Sequence, residues 1–147
     1  MPIKCIDSQK EIFQKVLAEC RKYYRVHIRQ YPKRKSTIPN GSAHLIARLI
    51  YLHVKDKNDL YHLQTSVLIH EFGHMLDHVG RMKGVSSYIP TDYELEERAW
   101  EKGIAYFLAM GLIPKGLEEF RDSCLRSHVQ YSQVFMKRER RGKMNKF

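Results

Sequence analysis

The chain has 147 residues, 43% hydrophobic and 11% aromatic, enough for the core of one domain and too rich for a disordered or low-complexity chain. Its longest apolar run, Ile104–Ile113 with one glycine included, has ten residues, about half of the roughly twenty that a membrane-spanning helix needs. Twenty-six Lys and Arg against sixteen Asp and Glu leave a formal charge of +10, which favours contact with nucleic acid, acidic proteins or anionic surfaces but specifies no fold.

The first twenty residues carry Lys4, Asp7, Lys10, Glu11, Lys15 and Glu19. Those charges leave no room for the apolar centre of a signal peptide, so a cytoplasmic chain with no membrane partner is expected. Ser8 can cap a first helix whose apolar positions Ile12, Phe13, Val16, Leu17, Cys20 and Tyr24 recur at helical spacing. Arg25–Tyr31 alternates as a short strand. Pro32, the basic Lys33–Arg34–Lys35 and Pro39–Asn40–Gly41 then mark a loop and turn. His44–Val54, rich in Leu, Ile and Tyr, reads as one strand buried on one face.

Leu60–Val79 reads as a long helix closed by Gly80, and Tyr93–Met110 as a second, with Asp92 at its cap and Gly111 beyond its end. A further helix starts near Gly116 and carries Leu117, Phe120, Cys124 and Leu125. The order of helix, strands and then helices is α+β. One domain is expected over 1–136, followed by a basic tail over 137–147, Lys137–Arg138–Glu139–Arg140–Arg141 at its start. Such a tail is either solvated or placed to meet phosphates. Cys5, Cys20 and Cys124 form no CxxC pair, which is the usage of reduced thiols.

The chemistry concentrates at His70–Glu71–Phe72–Gly73–His74, the H-E-x-x-H pattern. Two histidines four apart on a helix point the same way, one turn apart, and can grip one Zn²⁺. Glu71, about 100° round the helix, can reach a water on the open metal position. A zinc hydrolase needs a third protein ligand. At about 100° per residue, Leu95, Ala99, Trp100, Gly103, Phe107 and Met110 share one apolar face of the second long helix, and Glu94, Glu97, Arg98, Glu101 and Lys102 lie opposite. Glu96 falls on the apolar side. A carboxylate buried there is costly unless it is paired or metal-bound, so Glu96 is the expected third ligand and Glu97 the fallback if the phase is off by one. Asp77 lies within about 20° of His70 in helix phase, where it could orient an imidazole or serve as a plain polar residue. His78, eight residues and about 12 Å beyond His70, is too far along the helix to share its metal.

These residues resemble the gluzincin metallopeptidases, whose signature is H-E-x-x-H followed by a glutamate on a later helix, often within E-x-x-A. Glu96–Glu97–Arg98–Ala99 matches that element, and Trp100 stands where the family usually has an acidic residue. Leu112–Ile113–Pro114 is similar to the ending of the ImmA/IrrE-type peptidases, though further from Glu96. The wording of residues 70–74, Asp77 and Ser87–Tyr88 is similar to lethal-factor-type peptidases. The resemblance covers roughly Leu45 to Pro114 and implies a zincin-like α+β domain, with a small sheet beside the H-E-x-x-H helix and a glutamate-bearing helix under it. It further implies a zinc metalloendopeptidase in which His70, His74 and Glu96 bind Zn²⁺, Glu71 is the general base, and Tyr88, or next Tyr93, steadies the oxyanion. The strand His44–Val54 would be the edge on which a protein or peptide substrate, a regulatory protein among them, lies extended. The competing expectation is a nucleic-acid-binding or regulatory module that uses the basic loop and tail and holds no catalytic zinc. Cleavage specificity and oligomeric state are written in no pattern of this sequence.

Overall fold

The computed structural model describes residues 4–31, 40–54, 63–83 and 91–129. Among them α1 (Lys4–Tyr23) precedes β1 (Arg25–Gln30), β2 (Gly41–His44) and β3 (Leu49–Val54), and α2 (Leu63–Lys83) and α3 (Asp92–Ala109) follow. A last helix, α4, covers 117–129. The fold is α+β. The sheet order is β1-β3-β2, with β1 parallel and β2 antiparallel to the central β3.

Alternation places Val26, Ile50, Leu52 and Val54 on the buried face of the sheet, where they join Phe13, Val16 and Cys20 of α1 and Val67, Leu68, Phe72 and Met75 of α2. Phe107 of α3 and Leu112 and Leu117 beyond it complete that core. Burial pushes the Cys20 thiol up to about 12, so this cysteine packs as an apolar residue and offers no thiolate. Cys20 and Cys124 are both free. No helix among the described residues is long and apolar enough to cross a membrane.

Four details depart from the reading of the sequence. Helix α1 already runs from Lys4, so Ser8 lies within it and does not cap it. Residues 44–54 are not one strand: His44 ends β2, a turn occupies 45–48, and β3 starts at Leu49. No Gly, Pro, Asn or Asp marks that turn. It forms because Arg48 adopts a left-handed φ of 54°, a conformation costing a bulky residue about 1 kcal/mol. Tethers offset that cost: the Arg48 guanidinium donates to the Tyr23 carbonyl at 3.1 Å and lies over the Tyr24 ring, and its carbonyl accepts from Arg25 N–H. The edge strand beside α2 is therefore β2, while β3 is central.

The third departure is Gly80, which α2 passes through on its way to Lys83. A side chain there would meet only the tip of Lys102. The fourth is the start of α3, which Thr91 caps in place of Asp92: its hydroxyl accepts from Glu94 N–H and donates to the Glu94 carboxylate, each at 3.2 Å. The far ends of α3 and the loop after it agree with expectation, with Gly111 and Gly116 at φ of 70° and 82°.

Candidate metal centre

Among the described elements, helices α2 and α3 make the most extensive packing contact, and two glycines set how closely they cross. A Cβ on Gly73 would overlap the Ala99 carbonyl, and one on Gly103 would overlap the carbonyl of Ile69. Backbone thus lies against backbone at both points. This close crossing brings Glu96, three residues before Ala99, over the two histidines one turn apart on α2.

The resulting geometry is a triangle of ligating atoms. Glu96 Oε2 lies 2.7 Å from His70 Nε2, Glu96 Oε1 lies 3.2 Å from His74 Nε2, and the two Nε2 atoms are 3.2 Å apart. His70, His74 and Glu96 form the group among the described residues that could hold a metal ion. Glu97 is exposed and lines a separate groove with Trp100, Glu101 and Leu125, between α3 and α4. The one-residue ambiguity in helix phase is thereby resolved in geometry: Glu96 meets the histidines and Glu97 does not.

Electrostatics follow from that triangle. Burial alone would raise the Glu96 carboxyl, but hydrogen bonds from His70 and His74 outweigh it and hold the group far below the usual carboxylate range. Burial would lower His74, yet its bond to Glu96 and the charges of Glu96 and Glu71 raise it above the ordinary histidine value. Glu71 is buried beside them. Burial pushes its carboxyl up, against the opposing pull of His70 and His74.

A cavity of about 310 Å³ opens over these groups, lined by Glu71, His74 and Glu96 on the helix side and by Gly41, Ser42, Ala43 and Leu45 on the β2 side. Gly41, which reads in the sequence only as a turn residue, has a second task here. A Cβ at that position would press on Val67 and the Tyr51 carbonyl and come within 3.3 Å of the Glu71 side chain. Its absence leaves room for Glu71 between α2 and the edge strand.

Trp100 is the other residue whose role the sequence did not disclose. Its indole stacks on the His70 imidazole, with ring centroids 4.3 Å apart and planes inclined by 26°. The sandwich fixes the ring by packing, where a carboxylate partner would do so by hydrogen bonding. His70 Nδ1 is buried and has no hydrogen-bond partner among the described residues.

Asp77 does not orient His70. Its carboxylate, 1% exposed, accepts from Lys102 Nζ at 2.9 Å and from Arg81 Nε at 3.2 Å, tying the end of α2 to the middle of α3. Replacing Asp77 by Ala should cost about 2 kcal/mol in urea denaturation, the worth of two charge-assisted bonds to partners that can return to water. Arg81→Ala should cost less, because Lys102 remains, and equal stability of Asp77→Ala and wild type would remove Asp77 from the helix crossing. His78 lies away from the triangle, in a groove with Tyr24, Ile46, Met75 and Met82. Tyr93 faces His128 of α4, with centroids 6.3 Å apart, and not the two histidines. Tyr88 lies outside the described residues, as do the basic segments at 33–35 and 137–147.

No family model matches this chain, and no curated protein and no solved structure matches it.

Proposed function

We propose that the protein is a zinc-dependent metalloendopeptidase of gluzincin type, built on a zincin-like domain. The observation that carries this reading is the convergence of His70 Nε2, His74 Nε2 and a Glu96 oxygen within 4.8 Å of one another, with the buried Glu71 beside them at the wall of an open cavity. The donor set fits the metal. Two neutral imidazoles and one carboxylate are ligands of catalytic zinc, and bonds of about 2.0–2.1 Å call for ligand atoms about 3.3 Å apart. Two of the three separations, at 3.2 Å, match that spacing, and the third, at 2.7 Å, is shorter than it. Three protein ligands, rather than four, leave a position open to the cavity.

Held there, Zn²⁺ would polarise a scissile carbonyl and make a water nucleophilic near neutral pH. Glu71 would act as the general base toward a water in the cavity and return that proton to the leaving amine, and its buried position withholds it from competing partners. Trp100 and the Ala99–Gly73 contact keep the His70 and Glu96 side chains in register. The free side of β2, which has no strand partner among the described residues, offers N–H and C=O groups to an extended peptide, so a protein or peptide is the substrate this cleft suits. Tyr88 keeps its place as the candidate oxyanion donor through the resemblance of Ser87–Tyr88 alone. A binding module without zinc would leave three converging ligands and a buried carboxylate without a task.

Elemental analysis of untagged protein tests the metal assignment. Wild type should carry one zinc per chain; His70→Ala and Glu96→Ala should carry little, and Glu97→Ala as much as wild type. No zinc in wild type after zinc is offered would end the peptidase reading.

A further inference from the structure

The open face of the sheet forms a second surface, which shares Ser42 with the cavity over the metal centre. The strands RVHIRQ, GSAH and LIYLHV contain no Asp or Glu. Their register sets Arg25 beside Leu49 and His44, His27 beside Tyr51 and Ser42, and Arg29 beside His53. These residues alternate with the buried Val26, Ile50 and Leu52, so they share the face turned away from α1 and α2. No described helix covers them.

Their side chains form one connected layer. Tyr51 is at its centre, with the His27, His44 and His53 rings 5.8, 5.1 and 6.2 Å away, and the Tyr31 ring lies 5.4 Å beyond His53. The Arg29 guanidinium lies 4.0 Å over the Tyr51 ring. The guanidinium is planar; this one is in cation–π contact with the ring, and Arg29 is exposed. Bases stack on such planes and on imidazole and phenol rings alike, whatever their sequence.

We infer that this face binds single-stranded nucleic acid, with bases on the Arg29–Tyr51 stack and its neighbouring imidazoles and phosphates drawn by Arg25 and Arg29. Charge complementarity supports that occupant over an acidic protein: the layer couples cations to stackable rings, and rings have no use for carboxylates. Three strands about 4.8 Å apart give room for two or three bases. Duplex DNA, whose bases are already stacked on one another, gains only the phosphate part.

Fluorescence anisotropy with labelled oligo-dT and oligo-U strands tests this on the full chain. Both should bind, and more tightly than a duplex of equal length. Arg29→Gln and Tyr51→Ala should each weaken binding at least about fivefold, the effect of losing one stacked base. Tyr51→Phe, which keeps the ring under Arg29, should bind within twofold of wild type. Arg29 is exposed, so its variant tests the surface even where Tyr51→Ala fails to fold. Equal affinity for duplex, unchanged binding by Arg29→Gln, or loss of binding on neutralising Arg138, Arg140 and Arg141 alone would overturn the proposal. Displacement of the strands by polyglutamate as readily as by nucleic acid would overturn it in favour of an acidic protein.

Discussion

Glu71→Gln should retain zinc at the wild-type level and lose about a thousandfold in peptide hydrolysis, within the 10²–10⁴ that a positioned general base supplies. The change is almost isosteric. Glu71 stands between α2 and β2 in the room that the missing Cβ of Gly41 leaves, and glutamine fills that space without repacking. It also removes a buried carboxylate whose charged form burial disfavours, so the folded state should be no less stable than wild type. A loss of turnover then cannot be attributed to a loss of structure. Digestion of a peptide library followed by mass spectrometry gives the measurement without knowledge of the substrate, and equal cleavage by wild type and Glu71→Gln would remove Glu71 from the chemistry.

Glu71→Gln and Glu96→Ala fail in different ways, which makes them useful together. Glu96 is a half-exposed carboxylate held by two imidazoles, and its removal leaves His70 and His74 with their ring nitrogens 3.2 Å apart and no acceptor between them. Zinc and activity should fall in parallel in that variant. In Glu71→Gln they should part company.

The centre was legible from the sequence because it rests on helix periodicity. His70 and His74 share a face at a spacing of four, and Glu96 is found by its phase among Leu95, Ala99 and Trp100 in a helix with no proline to disturb the count. Where the reading of the turn, of Gly80 and of Trp100 failed, a contact distant in sequence decided the outcome, whereas the Thr91 cap is local, three residues from Glu94. The turn at 45–48 carries Leu, Ile, Ala and Arg, a composition that reads as strand, and it turns because Arg48 reaches Tyr23 and Tyr24 of α1. Gly80 resembles a helix stop, yet α2 continues because Asp77, Arg81 and Lys102 bind its last turns to α3. Trp100 looked like a departure from an acidic family position, and only the crossing of two helices shows its indole on the His70 ring. Local chemistry thus announced the three side chains that converge. What positions them lies in contacts that no local pattern encodes.

The crossing itself yields the prediction with the largest effect on the fold. In isolation Ala is a better helix former than Gly by about 1 kcal/mol, so Gly73→Ala would stabilise α2 if helix propensity decided the matter. It does not decide here. The added methyl would overlap the Ala99 carbonyl, and Gly103→Ala would overlap that of Ile69; both obstacles are helix backbone, which cannot turn aside as a side-chain tip can. Overpacking of a core costs about 1–3 kcal/mol where side chains adjust, and a rigid obstacle belongs at the top of that range or above it. A net loss near 3 kcal/mol should lower the melting temperature by roughly 10 °C for a chain of this size. Separation of the helices would also draw Glu96 off His70 and His74, so zinc should fall together with stability. Gly80→Ala is the control on the same helix, since its methyl would meet only Lys102 Nζ at 3.3 Å, the mobile end of a long side chain. That variant should melt at or slightly above the wild-type temperature with zinc unchanged. If Gly73→Ala behaved like Gly80→Ala, the helices would not cross backbone to backbone, and the route by which Glu96 reaches the histidines would have to be sought elsewhere.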